Sequence, residues 1–232
     1  MYWFKTGFTY KVGCMNWQEF TALLVLATAM SFSPGPNTTL ASTMGANHGL
    51  RQAMPFVCAV PVGWGVLLGL CAVGLGALLL AVPLLAWAVK LLGVAYLLWL
   101  AAKLIGVKFQ LRQLRQSPGQ SGPTESTRIA SPPVVTFWQG AALQFVNIKA
   151  WLLALAIVSG WIAGRSDATV RFAIVLPVMM AYAFASNLTY AMVGSLLREW
   201  LAGPNKSGRR LAWFNRLMAG VLVATAIWMF FI

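Results

Sequence analysis

Acidic side chains are scarce in this sequence. Its 232 residues include four Asp and Glu against 17 Lys and Arg, and charged residues of both signs make up 9%. Soluble domains have about 25% charged and about 45–50% apolar residues, whereas 59% of this chain is hydrophobic. The shortage of charge extends along the whole chain, so one anchor on a soluble domain cannot explain it. The composition predicts an integral membrane protein with several spans.

Residues for enzymatic and metal chemistry are also few. The only histidine is His48, and none of the three cysteines belongs to a C-x-x-C pair. The sequence contains no H-E-x-x-H, G-x-S-x-G or Walker-type G-x-x-x-x-G-K-[ST] motif, which argues against a zinc protease, a serine hydrolase and an ATPase. An intramembrane enzyme would need a nucleophile with a base beside it. We therefore expect no enzymatic activity, no catalytic residue, no disulfide, no cofactor and no metal site.

Six apolar stretches follow one another along the chain, and each is near or above the roughly 20 residues that cross a bilayer. The net charge of +13 is concentrated in the short segments between them. That distribution is typical of the positive-inside rule, so we expect no nucleic-acid partner. The expected fold is an all-α, polytopic membrane protein with about six transmembrane helices. The stretches cover approximately 17–33, 54–82, 84–106, 134–163, 171–197 and 211–232.

The longest polar segment, 107–133, has the Ser, Pro, Gly and Gln content of a flexible linker. Because basic segments favour the cytoplasm, we place it and 198–210 inside the cell and both termini outside. Two halves of three spans each predict inverted repeats, which are common in secondary transporters. The chain is then one transporter domain, 1–232, with an N-terminal extension 1–15, a first half 16–106, a cytoplasmic basic linker 107–133 and a second half 134–232.

The N-terminus leaves alternatives open. Met15 could be the natural start, because MNWQEFTALLVLATAM already opens a span and Lys5 and Lys11 fit poorly with an outside N-terminus. A signal peptide ending near the A-x-A-like Ala27-Thr28-Ala29 is another interpretation. Since the apolar character continues beyond that point, we do not expect cleavage there. The side of the N-terminus and the true start stay open.

The strongest helix breakers interrupt the first apolar stretch, in SFSPGPNTTLAS. Pro34 and Pro36 lack the N–H groups that would pair with the carbonyls of Met30 and Phe32, and unpaired backbone groups are costly in lipid. A helix that restarts at Asn37 presents free N–H groups and the positive end of its dipole, which suits a carboxylate. The stranded carbonyls suit an ammonium group. The break therefore predicts a site for a zwitterion, and a proline kink packed against its neighbours is the alternative.

Two further polar residues lie inside apolar stretches. Lys149 falls about 15 residues into the fourth stretch, and a lysine at the bilayer centre costs roughly 2.5–3.5 kcal/mol. Glu19 lies about 27 Å of unbroken helix from Asn37, too far to pair with a lysine at that depth. Lys149 should then contact backbone carbonyls, water or a substrate carboxylate, unless it reaches the membrane interface instead. Asn187 is interpreted as an interhelical hydrogen-bonding residue or as a group that orients substrate.

These motifs resemble those of a known family. SPGPNTTLASTMGANHGLRQAMP is similar to the P-G-P-N…G…HG.R segment of the LysE/RhtB family of amino-acid exporters. FWQGAALQFVNIKAW resembles the N-P-K segment that opens the second half of that family, although Ile148 stands where the family usually has proline. LQFVNIK looks most like the cysteine and O-acetylserine exporter branch.

The resemblance implies export of amino acids or their derivatives across the bacterial inner membrane, driven by an ion gradient. Cysteine, O-acetylserine and homoserine- or threonine-like compounds are the candidate substrates, and membrane lipid is the other expected partner. The coupling ion, its carrier and any homo-oligomer stay open. A non-transporting assembly or sensor subunit and a channel are the alternative functions. The substrate-binding residues that we predict are Pro34, Gly35, Pro36, Asn37, Asn147, Lys149 and Asn187.

Overall fold

The computed structural model describes residues 11–12, 15–116, 134–203 and 208–231. The described chain is mostly helical, as predicted. Two-residue strands, β1 (Lys11–Val12) and β2 (Met15–Asn16), pair antiparallel before the first helix. The helices are α1 (Trp17–Phe32), α2 (Pro36–His48), α3 (Leu50–Ala72), α4 (Leu75–Ala81), α5 (Pro83–Gln116), α6 (Phe137–Val146), α7 (Ile148–Ile157), α8 (Ala168–Leu196), α9 (Arg198–Ala202) and α10 (Arg209–Phe231).

Four helices in the described part of the chain are long and apolar enough to cross a membrane: α3, α5 over Pro83–Ile105, α8 and α10. A fifth candidate is the pair α6 and α7, which a π-helical turn (Val158–Ile162) extends and which bends by 69° at its break. The first apolar stretch is divided between α1, with 16 residues, and α2, with 13. Neither alone has the length of a span. The structure thus has four or five candidate spans, and six remains a prediction.

The first ten residues of the predicted linker 107–133 are helical, because α5 continues to Gln116, although its membrane-spanning candidate ends at Ile105. Its last residues, KFQLRQLRQ, are mostly good helix formers, and this local propensity outweighs the absence of a hydrophobic run. Residues 117–133, which hold the Pro- and Gly-rich part of the linker, lie outside the described residues. So does most of the predicted N-terminal extension 1–15.

The first helix of each half begins with the same reciprocal cap. The Asn16 side chain accepts a hydrogen bond from the Glu19 N–H (2.7 Å), and the Glu19 carboxylate accepts one from the Asn16 N–H (3.2 Å). At the start of α6, Thr136 and Gln139 exchange the same pair of bonds, at 3.4 and 3.0 Å. Such capping boxes satisfy the first free donors of a helix. Both halves therefore open with a defined helix start and a short first helix.

Small residues set the contacts between the two halves. Gly45 on α2 faces Gly194 on α8, and a Cβ on either would overlap a backbone carbonyl oxygen of the opposite helix. Gly63 of α3 and Gly93 of α5 lie equally close to carbonyl oxygens of α6. Glycine lets membrane helices approach to backbone contact. These contacts hold the broken helices of each half against the other half.

Polar contacts join the halves at both ends of this interface. At the start of α1, Glu19 pairs with Arg171 (3.2 Å) and Arg165 (3.5 Å), and the Arg171 side chain is 7% exposed. At the end of α2, Asn47 and Asn215 exchange amide hydrogen bonds of 2.8 and 3.0 Å. The functional candidates lie between these two clusters.

Candidate functional site

The helix break predicted from the prolines is present. The first helix ends at Phe32 and the second begins at Pro36, with extended backbone at Ser33 and Gly35. The Thr38 hydroxyl accepts a hydrogen bond from the Gly35 N–H (3.0 Å) and lies 3.1 Å from the Gly35 carbonyl. The first turn of α2 therefore fixes the linking segment.

The two carbonyls that the prolines strand have protein partners. The Met30 carbonyl accepts a hydrogen bond from the Ser33 hydroxyl (3.0 Å), and the Phe32 carbonyl accepts one from the Tyr190 hydroxyl of α8 (2.8 Å). Each of the two carbonyls that were predicted to bind a substrate ammonium group thus already accepts one hydrogen bond from the protein. The proline rule identified the orphaned groups correctly, but it gives no information on a donor 158 residues away along the chain.

Lys149 crosses from the second half to this break. Its Nζ donates to the Ser33 hydroxyl (2.7 Å) and to the Ser33 carbonyl (3.1 Å). Gly35 leaves room for it, because a Cβ there would lie 3.3 Å from Nζ and 3.4 Å from Cδ. A hydrogen bond to a backbone carbonyl thus offsets part of the free-energy cost of a lysine inside an apolar helix, as predicted. In this position the Lys149 side chain is directed to the helix break of the first half.

The second half has its own break, at Asn147, between α6 and α7. Ile148 follows where a proline would force the bend, yet the two helices meet at 69°. Two contacts accompany the bend: the Trp151 indole N–H donates to the Phe145 carbonyl (2.8 Å), and Gly93 admits the Val146 carbonyl closely. Donors and close packing at the freed carbonyls are what let a helix break without proline.

The side chain of Asn37 is hydrogen-bonded to Gln144 from the other half. Asn37 and Gln144 exchange amide hydrogen bonds of 2.9 and 3.2 Å, and Gln144 also donates to the Gly140 carbonyl (3.0 Å). What Asn37 offers a ligand is therefore the backbone start of α2 rather than its amide. Gln144 is not one of the predicted site residues. The signal that could have found it is an amide in an apolar run, three residues before Asn147.

These elements enclose a cavity of about 60 Å³. On the measure by which one water needs about 10–15 Å³, it has room for a few water molecules. Six of the seven predicted site residues line it, and Pro34 is not among its lining residues. The predicted residues that line the cavity are Gly35, Pro36, Asn37, Asn147, Lys149 and Asn187.

Two of the residues that line the cavity carry an unusual amide oxygen. Asn147 and Asn187 are 4% and 3% exposed, and the Oδ1 atom of each is buried without a hydrogen-bond donor among the described residues. The Asn187 amide nitrogen donates to the Ala183 carbonyl (2.8 Å), which fixes that side chain. A buried acceptor without a donor costs about 1–3 kcal/mol. The residues that line the cavity therefore include one lysine and two asparagines whose amide oxygens have no donor among the described residues.

The described ranges contain no group of three or more His, Cys, Asp or Glu residues placed to hold a metal ion.

The comparison with known proteins agrees with these features. The family model described as LysE type translocator matches residues 28–232, which include both helix breaks and every cavity residue. The chain belongs to the LysE type translocator family. The predicted resemblance to this family is confirmed, as is the location that it implies, since a translocator with several apolar helices is a multi-pass inner-membrane protein.

The chain is similar to proteins named cysteine/O-acetylserine efflux protein. Three examples come from Escherichia coli (strain K12), Shigella sonnei (strain Ss046) and Shigella flexneri. Each is 29% identical over 211 residues, which cover 89% of this chain and 93% of the relative. No solved structure gives a significant match. The family and these relatives support the predicted function of amino-acid export.

Proposed function

We propose that this LysE-family protein is a secondary transporter that exports small amino acids or their derivatives across the bacterial inner membrane. The observation that carries the proposal is the cavity where the helix breaks of the two halves meet, with Lys149 bridging them to Ser33. Broken helices at a repeat interface are where secondary transporters place their substrate sites.

Each end of a zwitterionic substrate has a complementary group in this cavity. The carboxylate would bind Lys149 and the first N–H groups of α2, where the helix dipole is positive. The ammonium group would donate to the Oδ1 atoms of Asn147 and Asn187, whose burial without a donor supports this assignment. These amide oxygens replace the carbonyls of Met30 and Phe32 in the sequence-based hypothesis, because side chains already occupy those carbonyls.

The proposal includes six spans arranged as two inverted units. In this arrangement α1 and α2 together form the first span, as α6 and α7 form the fourth, and two long helices follow in each half. The matching caps at Asn16 and Thr136 support the correspondence. Alternating access would then move one unit against the other around the cavity.

Cysteine and O-acetylserine are the first substrates to test, because the relatives carry those names. The assay measures efflux from cells that express the full chain and are loaded with either compound. Lys149→Gln should lower the efflux rate at least about tenfold, since a hydrogen bond to a charged group is worth about 1.5–3 kcal/mol.

Lys90→Gln is the matched control. Lys90 lies on α5 beside the rings of Trp87 and Phe230 and does not line the cavity. This variant should keep its efflux. Undiminished efflux in Lys149→Gln, at equal amounts of protein in the membrane, would refute the assignment of Lys149 to the substrate site. No efflux above background from the unaltered chain, for either compound, would count against the substrates.

A further inference from the structure

The charge of the cavity restricts what its ligand can be. Among the described residues that line it, Lys149 is the only charged side chain. The remaining polar residues of the lining have hydroxyl or amide side chains and include Ser186, Asn147 and Asn187. One positive charge therefore faces the ligand, and no lining carboxylate balances it.

The acidic residues of the sequence lie elsewhere. Glu19 and Asp167 belong to the charge cluster with Arg171, at the start of α1. Glu19 precedes Ser33 by 14 residues, which is about 21 Å of helix. Glu199 lies on α9, beyond the other end of α8, and Glu125 falls in the segment 117–133, outside the described residues. None of the three described carboxylates is a lining residue of the cavity.

An apolar wall completes the lining. Trp64 and Met179 are 5% and 1% exposed, and Leu153 is 8% exposed. A side chain that reaches past the two ends of the zwitterion would contact these residues. Such surroundings give a second ammonium group no counter-charge, and a buried charge without a partner is strongly disfavoured.

We infer that the transporter excludes amino acids with a positively charged side chain, such as lysine and ornithine, although its family is described as LysE type. The inference rests on the proposed function, because it assumes that the cavity holds the substrate. A zwitterion brings one carboxylate for Lys149 and one ammonium group for the two amide oxygens. A second cation would be repelled by Lys149 at short range.

The test compares competitors of nearly equal shape that differ in charge. The full chain is reconstituted in lipid vesicles, and counterflow of labelled O-acetylserine is measured at neutral pH. Norvaline is paired with 2,4-diaminobutyrate, and norleucine with ornithine. In each pair the neutral compound should inhibit at least about tenfold more strongly than its cationic partner, since one unpaired charge in such a site exceeds 1.4 kcal/mol.

The possible results separate the inference from the proposed function. Counterflow that is inhibited equally by both members of each pair, strongly or weakly, overturns the inference and leaves amino-acid export standing. Absence of counterflow for O-acetylserine and for cysteine counts against these two substrates and overturns the inference, which needs a zwitterion of this kind in the cavity. Stronger inhibition by norvaline and norleucine than by their partners supports both.

Discussion

The contact between Gly35 and Lys149 gives a sharp prediction about the site. Gly35 has φ −173° and ψ −175°, an extended conformation that any residue adopts, so a side chain there introduces no backbone strain. The alanine Cβ would lie 3.3 Å from Lys149 Nζ and 3.4 Å from Cδ, and the lysine needs to shift by only a few tenths of an ångström. The two branches of valine would compete with the lysine for this space.

The magnitude follows from what Lys149 would lose. A valine at residue 35 displaces the ammonium group from the Ser33 hydroxyl and carbonyl. On the proposed function, the displaced ammonium group would also lose its bond to the substrate carboxylate; a bond to a charged group is worth about 1.5–3 kcal/mol, so transport falls about tenfold or more. We therefore expect Gly35→Ala to keep efflux within about threefold and Gly35→Val to lower it at least about tenfold.

The assay is efflux of O-acetylserine at matched protein amounts, with thermal unfolding in detergent to check the fold. Gly220→Val is the matched control, because a Cβ at Gly220 in α10 meets nothing within 4 Å. It should leave both efflux and Tm unchanged. If Gly35→Val transports as well as Gly35→Ala, then Lys149 does not need its place beside Ser33, and the site assignment is refuted.

Two further substitutions test one residue of the site and one contact between helices. Asn187→Leu removes a buried oxygen without a donor together with the bond to Ala183. We expect Tm within about 2–4 °C of the original but an efflux rate reduced at least about tenfold. Retained efflux would contradict the proposed contact with the substrate ammonium group. Gly194→Leu would drive a side chain into the carbonyl of Ser42 and should cost about 1–3 kcal/mol of stability, seen as a lower Tm. Gly220→Leu should cost nothing measurable, and equal Tm values for these two leucine variants would disprove the close contact of α2 and α8.

Local chemistry made the first break predictable. Pro34 and Pro36 each remove a donor, and that consequence is fixed by the residue itself. The lysine in the fourth stretch was predictable for a similar reason, because its charge demands a polar partner wherever it is buried. The sequence therefore sufficed to name six residues that line the cavity.

What the sequence did not reveal depends on which helices become neighbours. The donor for the Phe32 carbonyl, Tyr190, and the amide partner of Asn37, Gln144, are both distant in the chain. The second break occurs without proline. Close packing and a hydrogen bond from the Trp151 indole accompany it, and no local sequence pattern predicts either. The extension of α5 to Gln116 reflects propensity in a polar segment, which a search for apolar runs misses.

The same contacts suggest how substrate binding would couple to movement. The Lys149–Ser33 bonds join the second half to the first, and on the proposed function a substrate carboxylate competes with Ser33 for the same ammonium group. The substrate's own ammonium group would bind Asn147, at the break between α6 and α7, and Asn187, on α8, both in the second half. Binding thus exchanges a direct bond between the halves for bonds to the ligand. Because a ligand shifts a conformational equilibrium only by its difference in affinity for the two states, this exchange would supply such a difference.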